Sequence, residues 1–133
     1  MRRSGLLHAR LAAVLNELGH TDTLVVADAG LPIPPGVERI DLALIPSVPG
    51  FVETLRAVLA ELAVESAVLA EELAERSPGL HAQIEALLGD RRVQIQAVPH
   101  VELKALTSSA RAVVRTGECT PYANIVLVAG VTF

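Results

Sequence analysis

Six short apolar runs, each four to eight residues long, alternate along the chain with stretches that carry helical spacing or turn residues. They are Thr23–Ala27 (TLVVA), Arg39–Leu44 (RIDLAL), Glu65–Ala70, Val93–Val98, Ala112–Arg115 and Asn124–Val131. Runs this short, rich in Val, Ile, Leu and Ala, read as strands with one or both faces buried. Between them, Leu11, Val14, Leu15 and Leu18 have the spacing of an amphipathic helix, and Gly19 is expected to end it in a left-handed cap. Further helices are expected from Phe51 to Leu62, from the Ser77-Pro78 start to Leu88, and from Val101 to Ser109. Pro32, Pro34, Pro35 and Gly36 mark a loop, and Pro46–Gly50 a link between strand and helix. Strands alternating with helices predict an α/β fold. Its form should be a three-layer α/β/α arrangement with a mainly parallel, mixed sheet of about six strands. The length, 133 residues, suits a single domain over 1–133, and no internal repeat divides it.

Composition narrows the partners. Net charge is −4, and no Lys/Arg cluster exceeds a pair, Arg2–Arg3 or Arg91–Arg92. Neither nucleic acid nor an anionic membrane is therefore expected as a main partner. Hydrophobic residues make up 51% of the chain and aromatics only 2%. A mean hydropathy of +0.46 is high for so small a chain. Part of that apolar surface is expected to meet other subunits. The N-terminal Arg2-Arg3 pair is followed by a stretch broken by His8, Arg10, Asn16 and Glu17, which lacks an apolar signal core. No run of about 18 apolar residues exists for a membrane span. Cys119 is the only cysteine, so no intrachain disulfide can form, and a reducing cytoplasm is the simplest compartment.

Three polar sites stand out. In sheets of this kind a ligand crevice lies beyond the carboxyl ends of the strands. Asp28 falls there for the first strand and His100 for the fourth. At the other end of the first strand stands His20, in Gly19-His20-Thr21-Asp22. Five strand residues at about 3.3 Å each hold His20 and Asp28 roughly 16 Å apart. If both are functional, another segment or another subunit must complete each site. From spacing alone, the simpler reading is a histidine ending a helix and an aspartate in a turn. His100 alone reads equally as the start of a short helix. The third site is the loop Gly117–Asn124, which holds Tyr122, the only tyrosine, and Asn124; both can bond hydroxyls, or Tyr122 can simply be a half-buried turn residue.

Other chemistry is not signalled. There is no G-x-G-x-x-G, no Walker A loop, no G-x-S-x-G, and no His/Cys spacing for zinc, so neither metal nor cofactor is expected. Cys119 sits beside Glu118 with no adjacent cation to favour a thiolate. His8 and His81 read as a helix cap or solvated surface.

The string GHTDTLVVADAGLPIP, Gly19–Pro34, resembles the N-terminal signature of the D-ribose pyranases. RIDLAL at Arg39–Leu44 and RTGECTPYANIVLVAGVTF at Arg115–Phe133 resemble the same family, and only Arg76–Arg92 is looser. The resemblance implies a cytoplasmic isomerase that interconverts β-D-ribopyranose and β-D-ribofuranose, supplying the furanose to ribokinase. It implies His20 as proton donor, and Asp28, His100, Tyr122, Ala123 and Asn124 as sugar-binding residues. It also implies a homodecamer of two stacked pentameric rings with sites at subunit contacts. His8 departs from the pattern, where relatives are expected to carry Asn. Two other readings remain at this level. One is a mutarotase for another sugar, such as L-fucose, on the same fold. The other is a non-enzymatic sugar-binding accessory protein, which would have no use for His20.

Overall fold

In the computed structural model, which describes residues 1–133, six strands form one sheet. They are β1 (Thr23–Ala27), β2 (Glu38–Asp41), β3 (Val64–Ala70), β4 (Gln94–Val98), β5 (Ala112–Arg115) and β6 (Ile125–Ala129), in the order β2-β5-β1-β6-β3-β4. β1 and β2 both pair in parallel with β5, and β3 with β4. β6 lies antiparallel between β1 and β3. Five strands thus point one way and β6 returns. The reason is the length of its connection: Thr116–Asn124 is too short for the crossover that a parallel neighbour requires. The sheet is mixed and mainly parallel, as expected from the alternating pattern.

The helices are α1 (Ala9–Glu17), α2 (Phe51–Leu59), α3 (Glu71–Arg76), α4 (Pro78–Gly89) and α5 (His100–Leu106), the last running into a 3₁₀ turn at Thr107–Ser109. Alternation along β1 splits the core. Leu24 and Val26 face a cluster of 21 buried residues with Leu11, Val14, Phe51, Leu55, Ile84 and Leu88 from α1, α2 and α4. Val25 and Ala27 face a cluster of only 9, with Leu31, Leu103, Val113 and Val126. Full burial of a Val, Leu or Phe side chain contributes roughly 1.5–3 kcal/mol. The thick layer therefore carries most of the packing energy. The opposite face, covered only by α5 and the loop after β1, is left to carry polar groups.

Several local expectations are corrected. Gly19 does not take the left-handed conformation; α1 ends at Glu17, Leu18 after it is extended, and Thr21 takes positive φ instead, at 70°. The second strand stops at Asp41 because its carboxylate accepts the Ala43 N–H at 3.1 Å and turns the chain before Leu44. α2 ends at Leu59, not Leu62. α3 went unforeseen, since its Glu-rich sequence offers no apolar period. Ser77 precedes Pro78 as expected, but its hydroxyl makes no capping bond. His8 caps α1, its Nδ1 accepting the Leu11 N–H at 3.1 Å, which is the role an Asn there would fill.

Candidate functional site

Asp28 follows the last residue of β1, and Asn124 precedes the first residue of the adjacent β6. The antiparallel pairing puts them side by side. The Asn124 side-chain oxygen accepts the Asp28 N–H at 2.9 Å, and its amide nitrogen donates to Asp28 Oδ2 at 3.0 Å. Asp28 Oδ1 accepts the Gly30 N–H at 2.9 Å. Asn124 is fully buried, while Asp28 is half-buried and faces outward. One carboxylate is thus locked in place from behind.

The loop from Thr116 to Asn124 is tied down at several points. The Thr116 hydroxyl donates to the Ala27 carbonyl at 2.7 Å, and the Ala29 N–H donates to the Glu118 carbonyl at 2.8 Å. Gly117 packs against the turn at Ile45–Val48, and a Cβ there would come within 2.5 Å of the Val48 carbonyl oxygen. The Glu118 carboxylate accepts the Phe51 N–H at 3.0 Å and the Thr120 hydroxyl at 2.9 Å. Partial burial pushes this carboxyl up, but the N–H of Phe51 and the hydroxyl and N–H of Thr120 outweigh that and hold it below the ordinary carboxylate range. Tyr122 closes the loop at φ 65°, an unfavoured conformation for a bulky residue that the surrounding bonds sustain.

His100 is the first residue of α5. Its backbone N–H donates to both oxygens of Glu72, at 3.1 and 3.0 Å, so a side chain of α3 sets the start of α5. The His100 ring meets Tyr122 edge-on, with centroids 5.0 Å apart and planes at 85°. Its Nδ1 is buried without a hydrogen-bond partner. Lys104, one turn further on the same helix face, lines the same cleft. This cleft, about 370 Å³, is bordered by Asp28, Leu31, His100, Lys104, Pro121 and Tyr122. A volume near the lower end of ligand sites, with few apolar walls, suits a small polar molecule better than a large apolar one.

The structure therefore gathers Asp28, His100, Tyr122 and Asn124 at one end of the sheet. Ala123 is there too, but its side chain is buried in the large core, so it acts as a spacer between Tyr122 and Asn124. His20 lies elsewhere, before β1 at the opposite end, exposed, with Nε2 2.9 Å from Glu65 Oε2. Glu65, Glu72 and Lys104 were not foreseen. Lys104 could have been found from its four-residue spacing to His100; the two glutamates look like any solvated Glu in sequence. No three His, Cys, Asp or Glu side chains converge as metal donors, and no helix is long and apolar enough to cross a membrane.

A mixed α/β sheet with a locked carboxylate, a histidine and a tyrosine around an open cleft at one end defines a small α/β domain with a polar, sheet-end cleft. The chain belongs to the RbsD / FucU transport protein family, whose model matches residues 1–132. It is 52% identical over 133 residues to the D-ribose pyranase of Laribacter hongkongensis and 51% identical to that of Coprothermobacter proteolyticus, covering both chains in full. It also matches the Bacillus subtilis RbsD solved in complex with D-ribose, at TM-score 0.95, 45% identity and complete coverage of both chains. A fucose mutarotase of Streptococcus pneumoniae, solved with L-fucose, shares the fold at TM-score 0.77 and 22% identity, over 96% of this chain and 100% of that one.

Proposed function

We propose that this chain interconverts the β-pyranose and β-furanose forms of D-ribose, as a D-ribose pyranase does. What carries the reading is full-length likeness at about half identity to D-ribose pyranases, joined to a sugar-sized polar cleft built around Asp28. The mutarotase of another sugar is the weaker reading, because the fucose enzyme shares only the fold.

Ring opening needs one proton removed from the anomeric hydroxyl and one delivered to the ring oxygen O5. The C1–O5 bond breaks to give the open-chain aldehyde. The O4 hydroxyl then adds to C1 and loses its proton as the carbonyl oxygen gains one, which closes the furanose. Atoms balance without redox change, metal or covalent enzyme intermediate. Histidine suits such transfers near neutral pH, and His20 is the proton donor in this reading. Asp28, His100 and Tyr122 hold the sugar hydroxyls. Asn124 contributes through Asp28, and Ala123 through the backbone of the loop.

His20 and Asp28 flank one strand and cannot reach one sugar within a chain. The site is completed by a second copy, whose His20 enters the cleft of the first. A homodecamer of two stacked pentamers is the assembly this reading adopts. Exposed Leu44, Ile45, Val48 and Val101 are apolar surface suited to such contacts. The enzyme works in the cytoplasm, supplying furanose to ribokinase. Saturation-transfer NMR on ribose ring exchange, with wild type and His20→Ala, tests the function directly. A binding protein without activity would leave exchange at the buffer rate in both.

A further inference from the structure

We propose that Glu65 positions His20 for proton transfer: its carboxylate takes the hydrogen on Nε2 and leaves Nδ1 as the nitrogen that exchanges protons with the sugar. This rests on the reading of His20 as the acid. A carboxylate can only accept, so a 2.9 Å contact from Nε2 requires the proton on that nitrogen. The neutral ring is then the Nε2–H tautomer, with its lone pair on Nδ1. When Nδ1 is protonated, the resulting imidazolium is already paired with an anion, as in the carboxylate–histidine pairs of hydrolases.

Three features of the backbone build this contact. First, Val64 pairs with Ala129 and Ser66 with Val128, so Glu65 is the extra residue of a β-bulge. Bulges bend a strand and re-aim the side chain they carry. Second, Gly130 lies against the bulge: a Cβ there would stand 3.3 Å from the Glu65 Cβ and 3.4 Å from its nitrogen, while the Gly130 N–H donates to the Ala63 carbonyl at 2.8 Å. Third, Thr21, beside His20, is held at φ 70°, which is costly for a β-branched residue. Its N–H donates to the Ala129 carbonyl at 2.9 Å. Both partners thus hang from the same two residues, Ala129 and Gly130, at the end of β6. The pair itself is about half exposed, with side chains 53% and 44% accessible. Exposed ion pairs add little stability, so folding alone does not account for a bulge and a strained threonine converging here.

The test combines ¹⁵N NMR of the imidazole with ring-exchange kinetics, on the intact protein. In wild type, His20 should show a protonated-type Nε2 and an unprotonated-type Nδ1 resonance. Glu65→Ala should mix the two tautomers. It should also lower kcat by about 10–100-fold, with KM little changed, the range that losing a carboxylate behind a metal-ligating histidine costs. Glu65→Gln, whose carbonyl can still accept from Nε2, should retain the tautomer and recover part of the rate. His20→Ala/Glu65→Ala should be no slower than His20→Ala, because the two act as one unit. A wild-type kcat in Glu65→Ala, or an unchanged tautomer in it, would overturn the proposal. If wild type failed to exchange ribose rings at all, the functional reading would fall, while the tautomer measurement would still decide the role of Glu65.

Discussion

The buried carboxamide of Asn124 grips Asp28 twice, accepting its backbone N–H at 2.9 Å and donating to its carboxylate at 3.0 Å. One side chain therefore fixes both the backbone and the carboxylate at the end of β1. Because Asn124 immediately precedes β6 and Asp28 immediately follows β1, the antiparallel insertion of β6 is what makes the grip available. A parallel strand in that place would bring its other end to Asp28.

Asn124→Ala and Asp28→Asn should weaken ribose binding without abolishing ring exchange at saturating sugar. Losing a polar partner in a desolvated site costs on the order of 1–3 kcal/mol, or up to about 150-fold in Kd. Calorimetric titration with ribose reads this directly. An unchanged Kd in both variants would remove Asp28 from the site.

Glu118 should make the protein acid-sensitive through its tie to the start of α2. Its folded carboxyl lies below its unfolded value, so it stabilises fully above the unfolded value, about 4.3. That contribution is lost as pH falls through the lower folded value. Glu118→Gln should cost roughly 1 kcal/mol at neutral pH, a gap that narrows below about pH 4.3. Urea unfolding across pH 3–7 measures it; a constant gap would show that the charge is not what matters.

The parts of the fold legible in sequence were those where local pattern and packing agree. β1 and β5 have the predicted bounds, because Thr23–Ala27 and Ala112–Arg115 are central, buried strands without competing turn chemistry. The end of β2 is not legible in sequence, because Leu42–Leu44 continues the apolar alternation while the Asp41 side chain ends the strand. Asp28 and His100 were visible as sheet-end residues. That Asn124 serves Asp28 was not, since 96 positions separate them in the chain. Glu65 was invisible because a one-residue bulge depends on register, which no local pattern encodes.

Sharing of the site between copies can be read by mixing variants. His20→Ala and Asp28→Asn subunits, unfolded together and refolded, should regain about a quarter of wild-type sites if each site takes His20 and Asp28 from different copies. Both parents should show less ring exchange than the mixture under subsaturating ribose. A mixture no better than the mean of its parents would contradict the shared site. Light scattering should show a stable oligomer, and a monomer at micromolar concentration would do the same damage.

Activity should survive a chelator, because proton transfers alone balance the reaction. Loss of ring exchange in EDTA, restored by a divalent cation, would refute that mechanism.

Saturation-transfer NMR between the pyranose and furanose signals of D-ribose reads the ring-exchange reaction itself. Wild-type protein should accelerate exchange well beyond buffer. His20→Ala should slow it by about 100-fold or more while ribose affinity and assembly persist; should His20→Ala fail to assemble, His20→Asn or His20→Gln takes its place. A wild-type protein that leaves ring exchange at the buffer rate, or a His20→Ala variant as fast as wild type, would contradict the account.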